Sequence, residues 1–198
     1  IIDKAADTFG AIPVINTTAK LLKNLYVKTY TENSEPKYFE IENLFPYSIY
    51  KTPFFINVPA QNQIGKINLN IEVIEKQNNK EKILSSAIIE LNVLNKNVVY
   101  RETFISEMDG SVQYYAVNPP TNLKLEKPAI FLSLHGAGVE ALGQARAYGS
   151  KNWGYIVAPT NRRPYGYNWE NWGMKDALEV LGIAKNEFNT DESRVYLT

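Results

Sequence analysis

The stretch Pro128–Gly138, PAIFLSLHGAG, decides which fold class the sequence suggests. Its apolar run, Ala129 to Leu134, is typical of a strand that is covered on both faces of a sheet. The glycines at 136 and 138 then allow a sharp turn, because glycine reaches backbone angles that other residues avoid. A buried strand that ends in a glycine-rich turn is typical of a parallel sheet with functional groups at its strand ends.

The segments that follow alternate between helix and strand patterns. A helix is predicted around residues 140–148, and a buried strand is predicted over Tyr155–Pro159. A second helix is indicated by apolar residues at helical spacing. These residues are Ala177, Val180, Leu181, Ala184 and Phe188. Residues 194–198, RVYLT, predict a further strand. This alternation implies a parallel sheet with right-handed crossovers, and therefore an α/β fold.

Upstream of Pro128 the pattern changes to that of antiparallel hairpins. Asp109-Gly110 separates two β-rich runs and is a strong signal for a hairpin turn. Residues 67–74 alternate between apolar and polar side chains, a polar loop follows, and residues 85–94 form a second such run. The two runs predict a hairpin with one buried face.

The first 60 residues have a weaker pattern. Prolines at 36, 46 and 53 favour turns and edge segments, and residues 17–27, TTAKLLKNLYV, are compatible with a short helix that leads into a strand. We therefore predict a β-rich, sandwich-like accessory module over residues 1–95, of which residues 1–50 are the hardest to assign. Residues 96–198 form the second predicted domain.

The composition excludes several classes of function. The chain has 198 residues, of which 44% are apolar, and its 21 basic side chains balance its 21 acidic ones. This balance disfavours a nucleic-acid partner, and no apolar run approaches the roughly 20 residues that span a bilayer. Because the chain has no cysteine and a single histidine, His135, we expect neither a metal site nor a cofactor.

The turn His135–Gly138 has two interpretations. It can aim peptide N–H groups at an anion, which in acyl transfer is the oxyanion of the tetrahedral intermediate. Alternatively, it is a strand-to-helix turn that needs glycine only for its geometry.

Four segments, in this order, resemble parts of the α/β-hydrolase superfamily. PAIFLSLHGAG is similar to the strand and oxyanion loop of esterases and lipases. Residues 161–181, NRRPYGYNWENWGMKDALEVL, resemble the next strand end and helix of prolyl-oligopeptidase-like enzymes and secreted esterases. Residues 191–198, DESRVYLT, resemble the approach to the nucleophile elbow, and residues 104–120 resemble the hairpin that opens the domain. The resemblance covers about residues 97–198.

This resemblance implies the N-terminal part of an α/β-hydrolase parallel sheet, in a serine hydrolase that is a peptidase or a carboxylic esterase. The backbone of Gly136 and Ala137 would form part of the oxyanion hole, and His135 and Gly138 would support the loop. Prolyl oligopeptidases typically carry a tyrosine in the corresponding loop, where this chain has His135-Gly136-Ala137, and its absence favours an esterase-like or otherwise divergent member. The family also implies a secreted or periplasmic location.

The resemblance places the catalytic triad outside this chain. No Gly-x-Ser-x-Gly motif occurs, so the serine, the acid, the base and the second oxyanion donor are expected after Thr198. They would belong to the remainder of the hydrolase domain, in the same protein or in a second chain, because an open edge at RVYLT would favour aggregation. We expect this chain alone to lack triad-based activity, and the substrate to be a small ester or a peptide.

Charged and aromatic residues after Pro159 are further candidates. Arg162 and Arg163 can bind a substrate carboxylate, or they can form structural ion pairs. The acids available for such pairs are Asp176, Glu170 and Glu179. The nearby aromatic residues can line a substrate cleft, or they can belong to the core; they are Tyr165, Tyr167, Trp169 and Trp172. The alternative function is a non-catalytic binding or scaffold protein, with a carbohydrate- or peptide-binding β-module and a degenerate hydrolase half.

Overall fold

The computed structural model describes residues 1–78, 80–163 and 168–198. Within these ranges the chain forms eleven strands and two helices, which fall into two compact units. The first unit comprises residues 1–95 and 107–112, and the second comprises residues 96–106 and 113–198. Neither helix of the described residues has the length and apolar character to cross a membrane.

The first unit contains the six N-terminal strands. Their bounds are β1 Ala6–Ile15, β2 Leu25–Tyr30, β3 Lys37–Ile41, β4 Ile49–Val58, β5 Gly65–Gln77 and β6 Lys80–Val93. Strands β1 and β4 pair antiparallel, and the other four strands form an antiparallel sheet in the order β3-β2-β5-β6. Alternate residues of β2 are buried, as expected for a strand with one face on the core.

An aliphatic and aromatic core holds this unit together. Its buried residues are Val14, Leu25, Val27, Ile41, Leu44, Phe54, Leu69 and Ile71. The predicted hairpin over residues 67–94 is confirmed, since β5 and β6 pair antiparallel from Gly65↔Val93 to Gln77↔Lys80. The short helix predicted within residues 17–27 is wrong. Residues 17–24 form no helix, whereas the strand expected after them is β2, in which Leu25, Val27 and Thr29 are buried with period two.

The second unit contains the remaining elements. Their bounds are β7 Tyr100–Ile105, β8 Val112–Asn118, β9 Ala129–Leu132, α1 Ala141–Ala147, β10 Gly154–Ala158, α2 Trp172–Glu187 and β11 Val195–Leu197. The strands form one sheet in the order β11-β9-β10-β8-β7. Strand β9 is parallel to both β10 and β11, whereas β10 is antiparallel to β8. Phe188, which caps α2, stacks on Tyr155 of β10 with ring centroids 4.1 Å apart.

The predicted fold class, an α/β fold with the N-terminal part of an α/β-hydrolase parallel sheet, is wrong. The described residues are mainly β-strand, in antiparallel and mixed sheets. Parallel pairing is confined to β9, β10 and β11, which have only three to five residues each. The βαβ order between residues 129 and 197 misled the prediction, because the longer antiparallel strands upstream make up most of the regular structure.

Candidate functional site

The three parallel strands end at the same edge of the second unit's sheet. Leu134 N–H donates to the carbonyl of Thr198 over 2.8 Å, and Thr198 N–H donates to the carbonyl of Leu132 over 3.0 Å. Ser133 N–H donates to the carbonyl of Val157 in β10 over 2.8 Å. The polar residues that follow each strand are therefore brought together at this edge.

The turn after β9 leaves its amide groups unpaired. Gly136, Ala137 and Gly138 are exposed, and within the described part of the chain their N–H groups have no hydrogen-bond acceptor. Gly138 has φ +80°, a left-handed conformation that favours glycine. Successive N–H groups in such a turn can form a concave site for an anion.

Two carbonyl groups of the same turn, those of His135 and Gly136, are occupied. Trp169 Nε1–H donates to the carbonyl of His135 over 3.0 Å. The carbonyl of Gly136 accepts from Val139 N–H over 3.4 Å and lies 3.3 Å from His135 Nδ1. The protein therefore satisfies the first two acceptors of the turn, whereas the N–H donors of Gly136, Ala137 and Gly138 stay available to a ligand among the described residues.

His135 joins the turn to the end of β10. Its buried ring places Nδ1 3.3 Å from the carbonyl of Gly136 and Nε2 3.3 Å from the carbonyl of Thr160. The edge of the imidazole meets the Trp169 indole, with ring centroids 5.1 Å apart. A neutral imidazole has one N–H, so it donates to one of these two carbonyls at a time. Both nitrogens face backbone, and the ring therefore ties two strand ends together.

The end of β10 is held by a buried carboxylate. Asp176, on α2, has no exposed surface, and its Oδ2 accepts from Thr160 N–H over 3.1 Å and from Thr160 Oγ1 over 3.4 Å. Its Oδ1 lies 3.4 Å from Arg162 Nε. Burial raises the pKa of Asp176, while the Arg162 guanidinium and the Thr160 N–H oppose that rise.

Arg162 is shared between carboxylates of α2. Its side chain is 10% exposed, and its guanidinium reaches Glu179 over 3.7 Å as well as Asp176. Ser106 donates to Glu179 over 2.7 Å and also bonds Arg162. Arg162 further lies over the Trp172 ring, 5.7 Å from its centroid. The two carboxylates therefore balance the charge of a largely buried guanidinium, and the Ser106 hydroxyl adds a hydrogen bond to it.

A second set of polar groups lies beside the turn. Gln144 of α1 donates to Ser133 Oγ over 2.8 Å, and Tyr148 OH lies 3.0 Å from Thr198 Oγ1. Hydrogen bonds from Thr198 and Ser133 lower the pKa of the Tyr148 hydroxyl. Within residues 1–78, 80–163 and 168–198, no three potential metal-ligating side chains cluster.

The structure brings together only some of the residues singled out from the sequence. His135, the turn residues and Trp169 form one cluster, whereas Arg162 lies in the ion-pair network and the exposed Arg163 bonds Asn168. Tyr165, a predicted cleft residue, lies outside the described residues, as does Tyr167. Sequence reasoning missed Ser106, because nothing local signals its contact with Glu179 across 73 positions. For Thr160 the available signal was its place directly after a buried strand.

Comparisons with known proteins give weak similarities. No protein-family model matches the chain, and no curated protein matches it. The solved structure of esterase Est22 is similar over 50% of this chain and 34% of its own, with 16% identity and a TM-score of 0.39. A thermostable esterase is similar over 94% of this chain and 65% of its own, with 14% identity and a TM-score of 0.41.

These two structures are esterases, so the chain is similar to hydrolases at low sequence identity. The chain spans less than two thirds of the length of either one. At these TM-scores the similarity does not establish a shared fold.

Proposed function

We propose that this chain supplies the oxyanion-binding turn of a hydrolase that acts on carboxylic esters or peptides. The observation that carries the proposal is the hydrogen bonding of the turn. The carbonyls of His135 and Gly136 have partners, and the N–H groups of Gly136, Ala137 and Gly138 have no acceptor among the described residues. In acyl transfer, negative charge develops on the substrate carbonyl oxygen. Preorganised N–H donors stabilise that charge, and the loss of one donor typically costs a factor of about 10² to 10³ in kcat.

The nucleophile, acid and base of this hydrolase would come from outside the chain. A serine triad needs an imidazole within hydrogen-bond reach of the nucleophile, and His135 is the one histidine of this sequence. Its ring nitrogens face the carbonyls of Gly136 and Thr160, so it positions the turn. The remaining groups would belong to the same protein or to a second chain.

Three of the candidate cleft residues lie in the described part of the chain, and two of them fit a contact with substrate better than the third. Arg163 is exposed and Trp169 is half-buried beside the turn, whereas Arg162 is already bound to two carboxylates. We therefore assign substrate contact to Arg163 and Trp169, and support of the site to Arg162. The absence of a tyrosine from the turn favours a small ester as the substrate. A secreted or periplasmic location rests on the family resemblance alone.

Titration with methylphosphonate, a small tetrahedral oxyanion, tests the proposed role of the turn. We expect the backbone amide resonances of Gly136, Ala137 and Gly138 to shift saturably, and Ala137→Pro, which removes one N–H, to weaken that response. The exposed Gly149, in the loop after α1 and outside residues 135–138, serves as the control. Shifts at the turn no larger than those at Gly149 would contradict the proposal.

A kinetic assay tests the location of the triad. The pure 198-residue chain should not hydrolyse p-nitrophenyl acetate by a serine mechanism, because His135 is engaged with backbone. Turnover that a serine-directed fluorophosphonate abolishes would show that a complete triad is present in this chain.

A binding role for residues 1–95 is the second candidate, and a groove in the first unit favours it. The groove, of about 690 Å³, runs along β3, the loop after it and the start of β4. Phe45 and Tyr50 line it and are 54% and 43% exposed. Exposed aromatic rings of this kind can stack on sugar rings or hold a peptide.

Calorimetry of the whole chain with a panel of neutral oligosaccharides tests this second role. Phe45→Ala and Tyr50→Ala should abolish binding. Tyr47→Ala should leave it unchanged, because Tyr47 is 74% exposed and does not line the groove. If no oligosaccharide binds the wild-type chain, the sugar-binding role is wrong.

A further inference from the structure

Strand β6 has a long unpaired edge. It runs for 14 residues at the end of the four-stranded sheet, and among the described residues it pairs with β5 alone. The backbone N–H and C=O groups on its other side can therefore pair with an additional strand.

The two halves of this edge differ in their protection against pairing. Lys80, Glu81 and Lys82 place charges on the first half. A register shift opposite Val73/Ile74 leaves Leu84 as an extra residue there. Charges and bulges of this kind are the usual devices that block edge-to-edge association. Residues 85–93 have no shift, no proline and a single charge, at Glu90.

The unprotected half also exposes a large apolar side chain. Ile88 is 66% exposed, whereas its neighbours Ile89 and Leu91 pack against the core of the unit. Glu90, the one charged residue of this half, pairs with Lys66 of β5. An apolar residue at the centre of a regular, nearly uncharged edge is the arrangement from which strand addition is expected.

We propose that this edge binds a second copy of the chain, with β6 antiparallel to the partner's β6 and a twofold axis at Ile88. This register pairs Ser85 with Leu91, Ser86 with Glu90, Ala87 with Ile89, and Ile88 with its own copy. Small residues thus lie opposite large ones, and the Ser86 hydroxyl can donate to the opposite carboxylate. The contact is self-complementary, as twofold symmetry requires.

Charge selects this orientation. In a parallel, in-register pairing, each Glu90 would lie beside its own copy, and like charges opposite each other are destabilising. The antiparallel register places no like charges opposite one another between Ser85 and Leu91. Two four-stranded sheets then join into one sheet of eight strands, and the exposed Ile88 side chains cover each other.

Single cysteines test the register, because the chain has none of its own. Ile88→Cys should form a disulfide-linked dimer on mild oxidation, since directly opposite residues have Cβ atoms about 5 Å apart. Ile83→Cys is the matched control on the same strand, with the native isoleucine 57% exposed. In the proposed pairing the two copies of residue 83 are ten positions apart along the strands, roughly 33 Å, and cannot cross-link.

Sedimentation over a concentration series tests the association without a cross-link. The wild-type chain should show a species of twice its 22.5 kDa mass. Ile88→Lys should lose that species, and Ile83→Lys should keep it, with circular dichroism to verify that both variants are folded. The proposal is overturned by a monomer at every concentration, by a dimer that survives Ile88→Lys, or by equal cross-linking of the two cysteine variants. A dimer that survives Ile88→Lys would mean that another surface holds the copies together.

Discussion

The ends of β9 and β10 lie at one edge of the second unit's sheet, and the polar groups that follow them differ in their hydrogen bonding. After β9, three consecutive N–H groups are exposed and have no acceptor within the described residues. After β10, Thr160 and Arg162 are tied to the buried Asp176. His135 contacts both ends through its two ring nitrogens.

This contrast shows how an exposed turn with unpaired donors can keep one conformation. The donors at the end of β9 do not order the turn through any of residues 1–78, 80–163 and 168–198, because they have no acceptor there. The turn is ordered instead through its carbonyl groups, because Trp169 donates to the carbonyl of His135. The His135 ring in turn contacts the carbonyl of Thr160, which belongs to the buried network. We therefore expect the two strand ends to respond very differently to mutation.

The largest effect is expected from Asp176→Ala, which removes the carboxylate that holds the end of β10. It removes one of the two carboxylates that face Arg162, so that Glu179 remains, and it leaves Thr160 N–H without its acceptor. The breaking of a buried pair costs about 3–5 kcal/mol, and we expect a loss near the lower value because Glu179 remains. Urea unfolding measures the change.

Glu192→Gln is the matched control for that loss. It breaks an ion pair between Lys185, at the C-terminal end of α2, and Glu192, which is 79% exposed. Such exposed pairs contribute less than about 1 kcal/mol. Equal losses in Asp176→Ala and Glu192→Gln would show that the network after β10 does not hold this unit together.

Gly173→Ala should have the next largest effect, because it crowds the same end of β10. An alanine Cβ at this position of α2 would collide with the side chain of the buried Asn161, which bonds the carbonyl of Asn168. Overpacking of this kind costs about 1–3 kcal/mol. Gly182→Ala, in the same helix with open space around it, should instead stabilise the chain by up to about 1 kcal/mol. If both variants were more stable than the wild-type chain, the side chain of Asn161 could not lie against Gly173.

The strands and helices around this edge and the parallel pairing of β9 with β10 and β11 were predictable from local patterns, whereas the antiparallel pairing was not. The apolar run at 129–134, the strand at 155–159 and the helical spacing after Ala177 each correspond to an element of the structure. The antiparallel pairing of β8 with β10 has no local signal, because a strand's partner depends on residues far along the chain.

The same reason limits what could be foreseen of the candidate site. The glycines of the turn are visible in the sequence, and so is the place of Thr160 at a strand end. The contact of His135 with Thr160 spans 25 positions, and that of Ser106 with Glu179 spans 73. Such contacts join groups that only the folded sheet brings together.

Trp169→Phe should have a smaller effect that is confined to the end of β9. The ring is kept, and the hydrogen bond from Nε1 to the carbonyl of His135 is lost, at a cost of about 1 kcal/mol. We expect the amide resonances of Gly136 and Gly138 to shift while that of Arg162 stays in place. A shift of similar size at Arg162 would mean that the two ends are not separately held.

The smallest effect concerns Asp191, a half-buried aspartate that contrasts with the fully buried Asp176. Hydrogen bonds from the Ser193 hydroxyl and N–H, with Arg194 beside them, lower the pKa of Asp191 from 3.8 to about 2. Because the folded pKa lies below the unfolded one, ionised Asp191 stabilises the fold above about pH 4. That contribution is lost as the pH falls through about 2.

Thermal unfolding between these two pH values measures the contribution of Asp191. The wild-type midpoint should fall more steeply with acid than that of Asp191→Asn. Parallel curves for the two proteins would show that the turn between α2 and β11 does not depend on this carboxylate.

Amide hydrogen exchange tests the central contrast most directly. Gly136, Ala137 and Gly138 should exchange at nearly unprotected rates, whereas Thr160 N–H, buried against Asp176, should exchange slowly. Saturating methylphosphonate should slow exchange at the three turn residues and leave Thr160 unchanged. Strong protection of the turn without any anion would contradict the account, because it would mean that these donors already have partners in the protein.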